Sequence, residues 1–327
     1  MTQLLLAKEG LKNFIGKYEV YLKPLGKFLL ALAALVMINR STGYMTKIDS
    51  FSVVMVVALM CSFMPVNFII VCAGLFILLH FYALSLECAL IAVILFLLLA
   101  LLYFRFAPKD TLVVLLLPMF FFLKIPYVIP ICMGLLATPA SVVSVACGVI
   151  VYYVIHYVTQ NAQALMALKT EELSTRFRYV VDGLLNNKTM IVVIAAFAFT
   201  LIVVYLVRRM AIDHSWTIAI IAGVMVQMLA LLLGNLVMDT DIGIVGIIFG
   251  NIIAAGIAKI VEFLTFHLDY SRTENVQFED DDYYYYVKAV PKINVSKTSR
   301  TVKRINTQKK KCVRSAKQAG HYLREKR

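Results

Sequence analysis

Four of the chain's eight prolines lie close together, at Pro118, Pro126, Pro130 and Pro139, and Lys124 sits among them in the run Phe121-Phe122-Leu123-Lys124-Ile125-Pro126. Proline removes a helix hydrogen bond and frees the carbonyl four residues back. At membrane depth a freed carbonyl must be satisfied by protein or by water in a cavity, and broken helices are one way membrane proteins build solute and ion sites. A lysine in such a place needs a partner or a route to water. Pro118, Lys124, Pro126 and Pro130 are therefore candidates for a transport pathway. The competing reading is that Lys124 ends a helix and extends its amine to the interface.

A second set lies near the end of the apolar sequence. Gln227 and Asn235 are eight apart, roughly one helix face. Asn251 follows Gly246 and Gly250, a GxxxG pair that allows close helix approach, and asparagine can bond across helices. Lys259 and Glu262, three apart, can pair on one face. Gln227, Asn235, Asn251, Lys259 and Glu262 could form a polar track, although packing and a local ion pair account for the same residues. Ala140, Ser144 and Gly148 recur every four residues and describe a packing face.

Other chemistry is not expected. Glu171-Glu172-Leu173-Ser174-Thr175-Arg176 matches the EExxxR element of intramembrane CaaX-type proteases, and Phe263 with His267 matches their FxxxH. FxxxH also occurs at Phe76 and His80, the EExxxR lies in a polar stretch, the gap is too long, and the third histidine motif is missing. Walker A, HExxH, GxSxG and GxGxxG sequences are absent. None of the six cysteines has CxxC spacing, and the consecutive Asp280–Asp282 lack calcium-loop spacing, so no cofactor or metal is expected. The expectation is a protein that is not an enzyme.

The elements that must position these residues follow from composition. The chain is 61% hydrophobic and only 16% charged, against roughly 45–50% and about 25% for a soluble domain. Apolar runs occur at 28–38, 51–66, 68–84, 89–106, 111–123, 127–137, 141–158, 189–207, 217–238 and 244–268. A helix needs roughly 20 apolar residues to cross a bilayer core of about 30 Å, a length that the last three runs reach without special pleading and several earlier ones do not. The fold expected is all-α: a polytopic transmembrane helical bundle of about ten segments with a largely disordered basic C-terminal tail. Eight crossings are the alternative, if 111–123 and 127–137 enter and leave as a re-entrant pair.

Five regions are expected. Residues 1–27, with five lysines between helically spaced apolar residues, suggest an interfacial amphipathic helix rather than a signal peptide. Residues 28–158 form a group of short transmembrane helices. Residues 159–188 form a polar connector with an apolar stripe through Leu173, Phe177, Val180, Val181 and Leu184. Residues 189–270 form three long helices. Residues 271–327 form a tail with 15 basic and 6 acidic residues, +9 of the net +13. Basic ends favour the cytoplasm, so a multi-pass protein of the cell membrane with both termini cytoplasmic is expected, and the 159–188 connector outside.

In the tail, Glu279–Asp282 precede Tyr283–Tyr286, and the tyrosines with Val287 favour a strand that Pro291 would end. That strand has no evident partner and could add to another sheet edge. The following basic run, including Lys303, Arg304, Lys309, Lys310 and Lys311, suits anionic lipid or an acidic cytosolic protein; nucleic acid is not expected. The segments Val203–Arg209, Trp216–Gly223 and Val276–Lys292 together resemble uncharacterised bacterial multi-pass membrane proteins, some of which carry provisional permease labels. The resemblance covers about the last 140 residues and implies localisation, without site residues. The functional expectation is a permease or transporter membrane subunit for a small solute or ion, with a homo-oligomer or an ATPase partner undetermined. The alternative is a non-transporting membrane scaffold whose tail recruits a cytosolic partner or anionic lipid.

Overall fold

A computed structural model of the chain describes residues 2–167, 173–210, 212, 214–240, 242–265, 274–279 and 284–289. The chain divides into two compact units, Lys8–His267 and a second unit of Met1–Ala7 with Leu268–Arg327.

Helix α1 (Thr2–Lys17) ends at Tyr18, and α2 (Glu19–Thr42) follows at once. The break therefore falls inside the stretch 1–27 expected to be a single interfacial helix. Glu19 begins α2 as a first-turn acid and pairs with Lys23 at 2.5 Å, so the helix starts well before its apolar run. Next come α3 (Phe51–Phe63), α4 (Val66–Leu84) and α5 (Leu86–Phe106). Ser85 stops α4 and caps α5, its Oγ accepting from the Cys88 N–H at 3.2 Å. Helices α6 (Thr111–Phe122), α7 (Val128–Leu136) and α8 (Ser141–Gln160) complete the first part. The connector contains α9 (Ala162–Ala167) and α10 (Leu173–Leu185). The last three helices are α11 (Lys188–Arg208), α12 (Ser215–Met238) and α13 (Ile244–Thr265).

Among the described residues, seven stretches are long and apolar enough to cross a membrane: α2, α4, α5, α8, α11 (taken with part of α10), α12 and α13. The protein is thus a multi-pass membrane protein in contact with lipid. Ten crossings are not shown: the other apolar runs form shorter helices. At 1.5 Å per residue α3 rises about 20 Å, α6 about 18 Å and α7 about 14 Å, each well short of the bilayer core.

Contacts show how α6 and α7 are used. Leu117 of α6 packs at Gly148 of α8, and Phe121 stacks on Tyr152 with centroids 4.2 Å apart, so the two helices run in the same direction. Gly134 of α7 packs at Leu201 and Val204 of α11, and the Ala137 carbonyl accepts from Arg208 at 2.9 Å, so these two run together as well. Phe121 and Tyr127 both approach Phe197, at 6.1 and 6.3 Å. The α6 start is therefore level with the start of α8, which in turn directly follows the end of α7. Helices α6 and α7 form a hairpin whose two outer ends lie on one side of the bundle.

Two large hydrophobic cores meet along α6 and α8. One gathers α2, α3, α4, α5 and the connector, including Val180 and Leu184 of the predicted stripe. The other gathers α7, α11, α12 and α13. Helices α6 and α8 serve both: Leu115, Val154 and Ile155 face the first, while Leu117, Val145 and Val149 face the second. The packing seam runs through α6 and α8 and not through the 159–188 connector.

In the other unit, β1 (Glu274–Glu279) pairs antiparallel with β2 (Tyr284–Ala289), in a register from Glu274 opposite Ala289 to Glu279 opposite Tyr284. The tyrosine strand has its partner in its own chain. This hairpin is the one departure from an all-α chain among the described residues.

Candidate functional site

The proline cluster separates into parts with different jobs. Pro130 occupies the first turn of α7, where its missing N–H costs nothing. Pro126 lies in the α6–α7 turn, where its carbonyl accepts from the Ile129 N–H at 3.3 Å. Pro139 lies ahead of α8 and accepts from Val142 at 3.1 Å. Only Pro118 lies inside its helix past the first turn, freeing the Val114 carbonyl.

Lys124 ends α6. Its backbone is left-handed, with φ 62°. The Lys124 N–H bonds Phe121 O at 3.0 Å and the Ile125 N–H bonds Phe120 O at 2.9 Å. These two bonds define a Schellman motif with lysine at the position usually held by glycine. The side chain is exposed, which matches the helix-end reading.

The predicted polar track is likewise divided. Asn235 is committed to the α12–α13 turn: its Oδ1 accepts from Thr240 Oγ1 at 2.8 Å and Ile242 N at 3.3 Å, and its Nδ2 donates to Ile242 O at 3.2 Å. Lys259 and Glu262 pair at 2.8 Å, and both bond Thr217 Oγ1 at the start of α12, at 2.6 and 3.0 Å. They tie the start of α12 to the end of α13. Asn251 is buried, with Nδ2 donating to Ile247 O at 2.8 Å and Oδ1 without a partner. Gln227 is 0% exposed, and neither amide atom has a partner among the described residues. Ser144 is buried with an unpartnered Oγ.

The predicted packing residues also split. Gly250 lies against the Tyr127 ring, where a Cβ would overlap it, while Gly246 has open space around it. The GxxxG pair is thus not one interface within this chain. Gly148 packs against Leu117, whose Cβ is 3.0 Å from where a Gly148 Cβ would sit. Ala140 is exposed at the start of α8. The basic residues Lys303, Arg304, Lys309, Lys310 and Lys311, and Glu171, Glu172 and His267 of the protease-like elements, lie outside the described residues.

The structure brings together a different set. A cavity of about 450 Å³ lies between α2, α4, α5, α6 and α8. This volume falls in the range of ligand sites, roughly 300–1,000 Å³. Pro118 and the carbonyl-bearing residue Val114 both line it, so one of the four predicted pathway residues in the proline cluster is at a cavity. Five of the lining residues, Val71, Leu75, Val93, Leu97 and Phe104, are apolar and exposed. Among the described residues, no Lys, Arg, Asp, Glu or His lines it.

The polar lining residues, Asn67 and Tyr103, share one end. There Tyr103 OH lies 2.7 Å from Thr111 Oγ1 and 3.0 Å from the Pro108 carbonyl, and Thr111 Oγ1 donates to Asn67 Oδ1. This chain joins the start of α4, the end of α5 and the start of α6. No motif announces it, because three separated polar residues at helix ends look like ordinary interfacial residues.

A second polar cluster was hidden for the same reason. Buried His80 accepts from the Met45 N–H at 3.2 Å through Nδ1, and its Nε2 lies 3.0 Å from Asn39 Oδ1. Because Nδ1 accepts, Nε2 carries the proton and donates. Asn39 Nδ2 donates in turn to Ile48 O at 3.0 Å. The pair fastens the α2–α3 loop to α4. In the sequence His80 stood out only as a chance FxxxH.

Compared with protein-family models, curated proteins and solved structures, the chain shows no match. The functional reading therefore rests on its own residues.

Proposed function

We propose that the protein is a non-enzymatic membrane carrier, a permease whose solute site is the cavity between α2, α4, α5, α6 and α8. The carrying observation is the cavity itself: about 450 Å³, open past apolar side chains and lined without a single charge. An ion or a strongly polar solute would lose its hydration there without compensation. An apolar or amphiphilic solute would not. The polar residues of α12 and α13 support packing and loop closure better than an ion track, since Asn235, Lys259 and Glu262 already hold local partners.

The reading extends to topology. The α6–α7 hairpin enters and leaves on one side. With α3 as a short eighth crossing that thins the bilayer locally, both termini lie in the cytoplasm and the connector near Asn161 lies outside. A reporter fused near Asn161 that reads as cytoplasmic would contradict this arrangement.

The functional test compares two changes in proteoliposomes that carry a fluorescent single-chain amphiphile. Deleting residues 271–327 leaves its transbilayer movement intact on this reading, while filling the cavity with Gly74→Phe stops it. The reverse pattern would favour the scaffold, in which the tail does the work.

A further inference from the structure

The cavity has an orientation that the function as stated does not use. On α4 its lining runs from Asn67 to Leu78, a rise of about 16 Å at 1.5 Å per residue. That is about half of a 30 Å hydrocarbon core. Asn67 lies in the first turn of α4, Tyr103 in the last turn of α5 and Thr111 at the start of α6. The polar end is therefore at the helix ends, and the purely apolar end reaches toward mid-bundle. A cavity with polar atoms at the membrane surface and apolar depth to the midplane has the layout of one leaflet's amphiphile.

The polar end also specifies a headgroup. The hydroxyls of Tyr103 and Thr111 are used within the chain, and Asn67 Oδ1 accepts from Thr111. What Asn67 has left to offer is its Nδ2, a donor, on an exposed residue. A headgroup oxygen, carbonyl or hydroxyl, is its complement. A charged headgroup drawn into the lining would find no counter-ion.

We infer that the cavity binds an uncharged, oxygen-headed amphiphile with a hydrocarbon chain, of the monoacylglycerol or long-chain alcohol class, with its head oxygen on Asn67 Nδ2 and its chain beside Gly74 and Pro118. This rests on the cavity being the solute site, and it names what that solute is.

The experiment is photo-crosslinking of the full-length protein in nanodiscs. The probes are a monoacylglycerol and a fatty acid that carry the same diazirine at the end of the chain. Gly74 is the position to fill, because a Cβ there meets nothing within 4 Å; Gly74→Leu accompanies Gly74→Phe, and both are checked for an unchanged melting temperature. The monoacylglycerol labels peptides of α4, α5, α6 or α8, and labelling falls at least tenfold in both Gly74 variants. Asn67→Leu weakens it about fivefold, the loss of one net hydrogen bond of about 1 kcal/mol. The fatty acid labels more weakly than the monoacylglycerol.

Excess unlabelled monoacylglycerol competes. Excess two-chain phospholipid does not, which separates a selected solute from a resident bilayer lipid. Equal labelling by the fatty acid, competition by phospholipid, or labelling that survives both Gly74 variants would overturn the inference. Labelling as expected without any transbilayer flux would leave the inference standing and remove the carrier reading alone.

Discussion

Val204 of α11 is held between two glycines, and the geometry makes them unequal. A Cβ added at Gly223 would overlap Val204 Cγ2, while its next neighbours, Ile131 Cγ1 and Val204 Cβ, would be at comfortable distances of 3.7 and 3.8 Å. A Cβ added at Gly134 would instead lie 2.6 Å from Val204 Cβ and 3.0 Å from the Leu201 carbonyl. Overpacking of this kind costs about 1–3 kcal/mol, of which the better helix propensity of alanine returns up to ~1 kcal/mol. Gly223→Ala alone is thus expected to destabilise by about 1–2 kcal/mol. Val204 is fully buried, and Val204→Ala is expected to cost about 1–2 kcal/mol through lost packing.

Combined, the two changes relieve each other. Val204→Ala removes the one atom that a Gly223 Cβ would strike, and the new methyl fills part of the space. The double variant should be close to wild type, a coupling of about 2–4 kcal/mol where additivity would predict none. Gly134→Ala is the control. Alanine at 204 keeps its Cβ, so Val204→Ala does not rescue it. Unfolding in mixed detergent micelles, followed by a thiol-reactive dye on buried Cys61, Cys72, Cys88 and Cys147, reads all five variants. Additive costs at 204 and 223, or equal rescue of Gly134→Ala, would refute the packing of α7 and α12 on α11 described above.

The remaining predictions use the same assay. Lys124→Gly should raise stability by about 1 kcal/mol, since the left-handed C′ position disfavours any side chain, and should leave transport unchanged. A loss of transport would restore Lys124 as a pathway residue. His80→Leu should cost about 2–4 kcal/mol by leaving the Met45 N–H and Asn39 Oδ1 unpaired; a change under 0.5 kcal/mol would mean the loop is not fastened this way. Gln227→Leu should stabilise by about 1–3 kcal/mol, because it removes two buried polar atoms that have no partner; a destabilised variant would show that Gln227 is bonded after all.

The broad architecture was legible because bilayer thickness imposes a length that a sequence displays directly. Helices α11, α12 and α13 follow from that rule directly, while α2, α4, α5 and α8 reach spanning length only with flanking residues added to their apolar runs. The hairpin of α6 and α7 was visible only as an option. Its two short runs and the turn at Lys124–Tyr127 fit two short crossings as well as one re-entrant pair, and the ring contacts of Phe121 and Tyr127 with Phe197 add that this turn lies beside the middle of α11. The site was less legible. Pro118 draws attention by its missing N–H and lines the cavity, but Asn67, Tyr103 and Thr111 carry no local signal, and they come together only when α4, α5 and α6 place their ends side by side. Gly246 shows the converse: the motif is present in the sequence, yet of the pair only Gly250 meets a neighbour among the described residues.

The central claim is that the charge-free cavity is where the protein works. Its most direct test is the rate of transbilayer movement of a fluorescent monoacylglycerol in proteoliposomes containing wild type, Gly74→Ala or Gly74→Phe at equal, folded amounts. The account predicts fast movement with wild type, little change with Gly74→Ala, and a rate at the protein-free background with Gly74→Phe. Equal rates with wild type and Gly74→Phe would contradict it.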